Sequence, residues 1–147
     1  MSKTIEIGGR LIGDGHPAYV IAEVGANHNG DISLAKETVS AAREQGADCV
    51  KFQTFTADEF CADRTKTFTY RSRGEEVTES EYEMFKRLEF SRDEWADLMA
   101  FCRSEGIQFL TTVQDPVNLQ MMIELGLEGI KVGSDDFDHL FNLKHFA

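Results

Sequence analysis

One repeating pattern constrains this chain more than any other. A short apolar run ends in polar residues, a helical stretch follows, and a glycine closes it before the next run. Residues 18–22 form such a run and pass into Glu23-Val24-Gly25. Asp31 then offers an N-cap, Leu34, Ala35, Thr38, Val39, Ala41 and Ala42 recur at helical spacing, and Gly46 ends the helix. The pattern returns at residues 47–52, which run into Gln53-Thr54. It returns at residues 107–110, after a helix that Ser91 caps and that continues through Trp95, Leu98, Met99 and Cys102 to Gly106. It returns again at residues 130–132, after a helix near 116–125 closed by Gly126, and a last helix begins near Leu140. Apolar runs without alternation indicate strands buried on both faces, as in parallel sheets. Four strand–helix units therefore predict an α/β fold built on a parallel sheet. Residues 5–12, with Gly8-Gly9 at their middle, predict a short β-hairpin in front of it.

Between the second and third units lies a long stretch, residues 55–88, read here as a loop. It carries mixed charge (Arg71, Arg73, Glu75, Glu76) and aromatics (Phe68, Tyr70, Tyr82, Phe85). A loop of that length is either a functional cover or a tolerated surface insertion.

Charge narrows the classes of partner. Fifteen basic against 26 acidic residues give a net charge of −11 over 147 residues. Such a balance opposes non-specific nucleic-acid binding, which depends on neutralising phosphates, and docking on anionic lipid. It leaves room for a small anion in a cleft with a local positive field. No apolar run approaches the ~20 residues of a membrane span, and the start lacks the apolar core of a secretory signal. The three cysteines, Cys49, Cys61 and Cys102, form no Cys-x-x-Cys motif, so reduced thiols and a cytoplasmic location are expected. Cys49 and Cys102 sit in apolar patterns and read as small core residues.

In parallel α/β folds, ligands bind at the carboxyl ends of the strands. The polar residues there are Glu23, Asn27 and His28, then Lys51 and Gln53, then Thr111 and Thr112, then Lys131, Ser134, Asp135 and Asp136. Two lysines inside apolar strands need partners, because a buried unpaired ammonium is costly. They either form structural ion pairs, Lys51 with Glu23, or point into one cleft as a phosphate or carboxylate site. His28 reads as a hydrogen-bonded loop residue rather than a metal ligand. His139 and His145 read as surface residues.

Four segments together resemble the sialic acid synthase (N-acetylneuraminate synthase) family. They are Ile21-Ala22-Glu23-Val24-Gly25-Ala26-Asn27-His28-Asn29-Gly30, Ala47-Asp48-Cys49-Val50-Lys51-Phe52-Gln53-Thr54, Ile130-Lys131-Val132-Gly133-Ser134, and residues 79–90. The resemblance covers nearly the whole chain in order. It implies a TIM barrel followed by a small antifreeze-like domain. It implies an enzyme that condenses phosphoenolpyruvate with an N-acetylated hexose, N-acetylmannosamine or a relative, and releases phosphate. By position it implies that Glu23 contacts the amino-sugar and that Lys51 and Lys131 hold phosphoenolpyruvate. Gln53 and Asn27 would contact substrate, and Thr112 and Ser134 would supply hydroxyls near its phosphate or carboxylate. Asp136 stands where the family pattern has glutamate near the reacting centre, one methylene shorter. Thr111-Thr112-Val113 stands where that pattern ends in proline.

The same resemblance implies a divalent metal, manganese or magnesium, whose histidine ligands belong to later strands not found in these 147 residues. It also implies a homo-oligomer, such as a dimer, in the biosynthesis of cell-surface carbohydrate. A TIM barrel needs about 250 residues, so residues 1–147 are expected to be its first half. The rest of the barrel and the antifreeze-like domain are expected to be absent, and the chain inactive alone. The alternative is a non-catalytic half-barrel module that self-associates or pairs with a separate C-terminal half.

Overall fold

The computed structural model describes residues 3–72 and 74–147; the charge read at Arg73 lies outside them. The chain opens with the expected hairpin, β1 (Thr4–Ile7) and β2 (Arg10–Gly13), in which Ile5 pairs with Ile12 and Ile7 with Arg10. Its two-residue turn needs positive φ at both positions, which Gly8 and Gly9 supply at 55° and 77°.

β3 (Ile21–Gly25) leads into α1 (Ile32–Glu44), where the Asp31 carboxylate accepts hydrogen bonds from the amides of Ser33 and Leu34. β4 (Cys49–Thr54) follows. The stretch read as a loop is in fact ordered secondary structure: α2 (Ala57–Phe60), a hairpin of β5 (Thr67–Ser72) and β6 (Glu75–Ser80), and α3 (Glu81–Leu88). The hairpin places Phe68 and Tyr70 against each other at 5.6 Å, while Phe55, Phe60 and Phe85 form an aromatic cluster between α2 and α3. Next come α4 (Arg92–Glu105), β7 (Gln108–Val113), α5 (Pro116–Glu124), β8 (Ile130–Lys131) and α6 (Leu140–Phe146). The N-terminus of α4 carries a full capping box between Ser91 and Glu94, and Gly106 closes the helix in the left-handed conformation.

The long strands form one parallel sheet in the order β3-β4-β7-β8. Sheet order follows chain order, as in the first half of a TIM barrel. Side chains alternate across the pleat. On one side Val24, Val50, Phe52, Phe109 and Val113 bury against Ala35 and Val39 of α1, against Trp95, Leu98, Met99 and Cys102 of α4, and against Leu119 and Met122 of α5. Phe52 is at the centre: fully buried, stacked on Phe109 at 5.5 Å and edge-on to Trp95 at 6.1 Å. Cys49 and Cys102 are fully buried, as expected of core residues.

Burial on both faces holds for β7 but not for β4, where Lys51 and Gln53 stay half-buried on one side, nor for the first unit. Val20 and Ile21 remain 51% and 44% exposed. The reason is position: β3 is a sheet edge, with a strand neighbour on one side only. Among the described residues no helix is long and apolar enough to cross a membrane.

Two substitutions test this packing. Phe52→Ala removes the central ring and should cost about 3–5 kcal/mol in urea denaturation; a loss below about 1 kcal/mol would show that the stack is not central. Gly30 has φ 75°, and a Cβ there would collide with the carbonyl oxygen of Arg87. Gly30→Ala should therefore destabilise by more than the ~1–2 kcal/mol of a left-handed alanine alone, measured in the same way.

Candidate active site at the carboxyl ends of the strands

Burying Phe52 and Thr54 toward the helices commits Lys51 and Gln53 to the opposite face. The registers extend that face sideways. Glu23 pairs with Lys51 across β3 and β4, Gln53 with Thr112 across β4 and β7, and Thr112 with Lys131 across β7 and β8. The two neighbouring threonines separate by the same rule. Thr111 is fully buried on the helix side and shares a 2.8 Å hydrogen bond with Thr54, whereas Thr112 faces the open side.

Loops complete a cleft of about 550 Å³ over this face. It brings together Glu23, Asn27, Lys51, Gln53, Thr112, Lys131 and Ser134, seven of the eight residues singled out in the sequence. The eighth, Asp136, does not line it. Its side chain is buried toward α6, where one carboxylate oxygen accepts from Asn142 Nδ2 at 2.8 Å and the other meets no partner among the described residues. Asp135 lines the cleft instead. Gln114 does so too and escaped the sequence reading, which ended β7 at Thr112. The apolar Val113 continues that strand, so the strand-end rule applied one residue further would have found it.

Electrostatically the cleft is uneven. Lys51 Nζ lies 2.5 Å from Glu23 Oε2 and donates to Thr112 Oγ1 at 3.4 Å. The lysine side chain is only 13% exposed, the glutamate 54%, so a nearly buried cation is held by a carboxylate that still reaches solvent. Lys131 is exposed and has no ion-pair partner among the described residues. The two readings of the lysines thus divide between them: Lys51 is in an ion pair, and Lys131 is not.

His28 lies beside this cleft but not in it. Only 1% exposed, it stacks on Phe90 at 4.1 Å, and Nδ1 accepts a hydrogen bond from the Gly30 amide at 3.1 Å. Burial holds its pKa below the usual histidine value, against a smaller opposite pull from Glu94. This is the hydrogen-bonded loop histidine the sequence suggested; His139 and His145 are exposed.

Nucleophilic and metal chemistry have little support among the described residues. Burial raises the thiols of Cys49 and Cys102 to about 11 and about 12, so neither is a thiolate near neutrality. No group of three or more His, Cys, Asp or Glu side chains gathers to hold a metal ion. A second cleft, of about 460 Å³, opens near the amino ends of the strands beside Arg10, Arg43 and Arg103. There Arg10 is paired with Asp48, and Arg43 donates to the carbonyl of Glu105. Arg103 there has no ion-pair partner among the described residues, so it is position at the carboxyl ends of the strands that favours the first cleft.

Comparison with known proteins identifies relatives of this chain. Residues 38–147 match the NeuB family model. The chain is 38% identical over 92% of its length to the N,N'-diacetyllegionaminic acid synthase of Legionella pneumophila. It is 36% identical over 95% of its length to the N-acetylneuraminate-9-phosphate synthase of Homo sapiens. The crystal structure of N-acetylneuraminic acid (sialic acid) synthetase from Leptospira borgpetersenii, in complex with citrate, aligns with 99% of the chain at a TM-score of 0.82 and 29% identity. The chain spans 38% of each of those two relatives and 46% of that structure. Matched sequence and a shared arrangement of strands and helices together establish that this chain belongs to the NeuB family.

Proposed function

We propose that this chain forms the phosphoenolpyruvate-holding part of a nonulosonic (sialic) acid synthase. The enzyme joins phosphoenolpyruvate to an N-acetylated hexose, N-acetylmannosamine or a relative. The observation that carries the reading is the placement of Lys51 and Lys131 on one cleft face with the Thr112 hydroxyl between them. Two cations and a hydroxyl suit a ligand bearing both phosphate and carboxylate. The names of the relatives support the reaction class.

In the reaction the enol carbon of phosphoenolpyruvate bonds to the aldehyde carbon of the open-chain sugar. As that bond forms the aldehyde C=O opens and its oxygen takes up a proton; water adds to the resulting cationic carbon and gives up a proton, and the carbon–oxygen bond to phosphate then breaks, leaving a 2-keto acid and inorganic phosphate. Lys51 and Lys131 neutralise the phosphate and carboxylate, with hydroxyl donors at Thr112 and Ser134. Gln53 and Asn27 bind through their carboxamides. Glu23, half-exposed and already held by Lys51, accepts from sugar hydroxyls and fixes the sugar's approach. Asp136 is left out of these roles, because its carboxyl is buried against Asn142 outside the cleft lining.

The divalent metal implied by the resemblance would polarise the aldehyde. Among the described residues the cleft lining holds two carboxylates, Glu23 and Asp135, and no histidine, and Glu23 is engaged by Lys51, so it does not make up the histidine site the resemblance implies. We place its ligands, the rest of the barrel and the antifreeze-like domain in a further part of a longer or two-chain enzyme, cytoplasmic and homo-oligomeric. The exposure of Val20 and Ile21 at the β3 edge favours a second reading, a half-barrel module whose open edges pair with another copy or a separate half. Light scattering after size-exclusion chromatography separates them in part, since a well-behaved monomer that takes up no partner counts against that module.

In the complete enzyme, Lys51→Ala should raise KM for phosphoenolpyruvate about ten- to a hundredfold, the equivalent of one charge-assisted hydrogen bond. Steady-state kinetics with a panel of amino-sugars checks this, and near-normal KM in the variant would sink the assignment.

A further inference from the structure

We propose that His28 is a positioning residue for the cleft: its buried imidazole ties back the β3–α1 loop so that Asn27 stays over the cleft beside Glu23, on the amino-sugar side. The inference rests on the reading above only for the substrates used in its test.

The loop is three tight turns in succession. Asn27 N–H donates to the Val24 carbonyl at 3.1 Å, Asn29 N–H to Ala26 at 3.2 Å, and Asp31 N–H to His28 at 2.9 Å. Asn29 and Gly30 both take positive φ, 53° and 75°. The turns leave Asn27 and Asn29 exposed, with Ala26 half-buried, so the loop has little apolar surface of its own to hold it down. His28 supplies the anchor. It enters the core against Phe90 and comes within 6.1 Å of the central Phe52 ring.

Packing alone would not select histidine there. An amide N–H can only donate, so the hydrogen bond from Gly30 makes Nδ1 the acceptor and puts the ring proton on Nε2. That Nε2 is buried and meets no partner among the described residues. An aromatic hydrocarbon would fill the same space without an unpaired N–H. What it would lack is the acceptor for Gly30, and that acceptor fixes the turn between Asn27 in the cleft and Asp31 at the cap of α1. Glu94 of α4 is the charged group whose field reaches the ring.

Two substitutions in the complete enzyme separate positioning from filling. His28→Phe keeps a ring against Phe90 but cannot accept from Gly30. His28→Asn gives up the ring, yet its carboxamide oxygen can accept from the amide two residues on, as in an Asx-turn. Positioning predicts that His28→Phe raises KM for the amino-sugar about tenfold. KM for phosphoenolpyruvate should move less than about twofold, because Lys51 and Lys131 stand on strands outside the loop. His28→Asn should recover most of the sugar KM despite a lower melting temperature. A filling role predicts the reverse order, with Phe the better substitute, and that result would overturn the proposal, as would an unchanged sugar KM in both. A wild-type enzyme that condenses phosphoenolpyruvate with no amino-sugar would instead sink the proposed function. The proposal about His28 is then decided by ¹⁵N NMR of ring-labelled histidine: an unprotonated Nδ1 with a protonated Nε2 sustains it, and a protonated Nδ1 overturns it.

Discussion

Strand β4 divides the molecule into a core and a cleft within six residues. Val50, Phe52 and Thr54 are fully buried toward the helices, so Lys51 and Gln53 have only the other face. A slip of one residue would put an ammonium where Phe52 stacks on Phe109 and an aromatic ring on the cleft face. The penalty is large on both faces. The register of β4 with its neighbours is therefore strongly specified, and β3 and β7 are aligned by it: Glu23 opposite Lys51, Thr112 opposite Gln53.

The same strand explains how a chain of net charge −11 keeps a cation almost out of water. Burying an isolated ammonium would cost several kcal/mol. Glu23, directly across the ladder, offsets that cost at 2.5 Å, and Thr112 adds a weaker contact at 3.4 Å. Because Glu23 is half-exposed, the pair is not sealed. A fully buried pair would have to be broken before Lys51 could meet another group, whereas this one is open to solvent on the glutamate side.

Much of this was legible in the sequence because it follows from periodicity and capping. The helices behind Asp31 and Ser91, the Gly8-Gly9 turn and the strand-end polar residues are local signals, each confined to a few neighbours. What was not legible depended on tertiary position. The exposure of Val20 and Ile21 follows from β3 being an edge, which no window of sequence reveals. Residues 55–88 were read as loop because their hairpin is largely solvent-exposed and mixes charge with aromatics, which blurs the alternation. Asp136 looked like its neighbours Ser134 and Asp135, yet a partner six residues on, Asn142, draws its carboxyl under α6 and away from the cleft.

The loop that follows β3 shows how the two faces communicate. A bulge between Glu23 and Gly25 shifts the β3 register just where the strand leaves the ladder. Gly25 still pairs with Phe52; past it the chain has no strand neighbour among the described residues, and successive turns would leave it free to pivot. His28 crosses back to the helix side and contacts Phe90, which itself meets Trp95 edge-on at 5.1 Å. The Asn27 side of the cleft is thereby referenced to the same aromatic cluster that sets the register of β4. Glu23 and Lys51 stay opposed because both strands answer to one core, and a disturbance of the Phe52–Trp95–Phe90 contacts would reach the cleft without touching a residue that lines it.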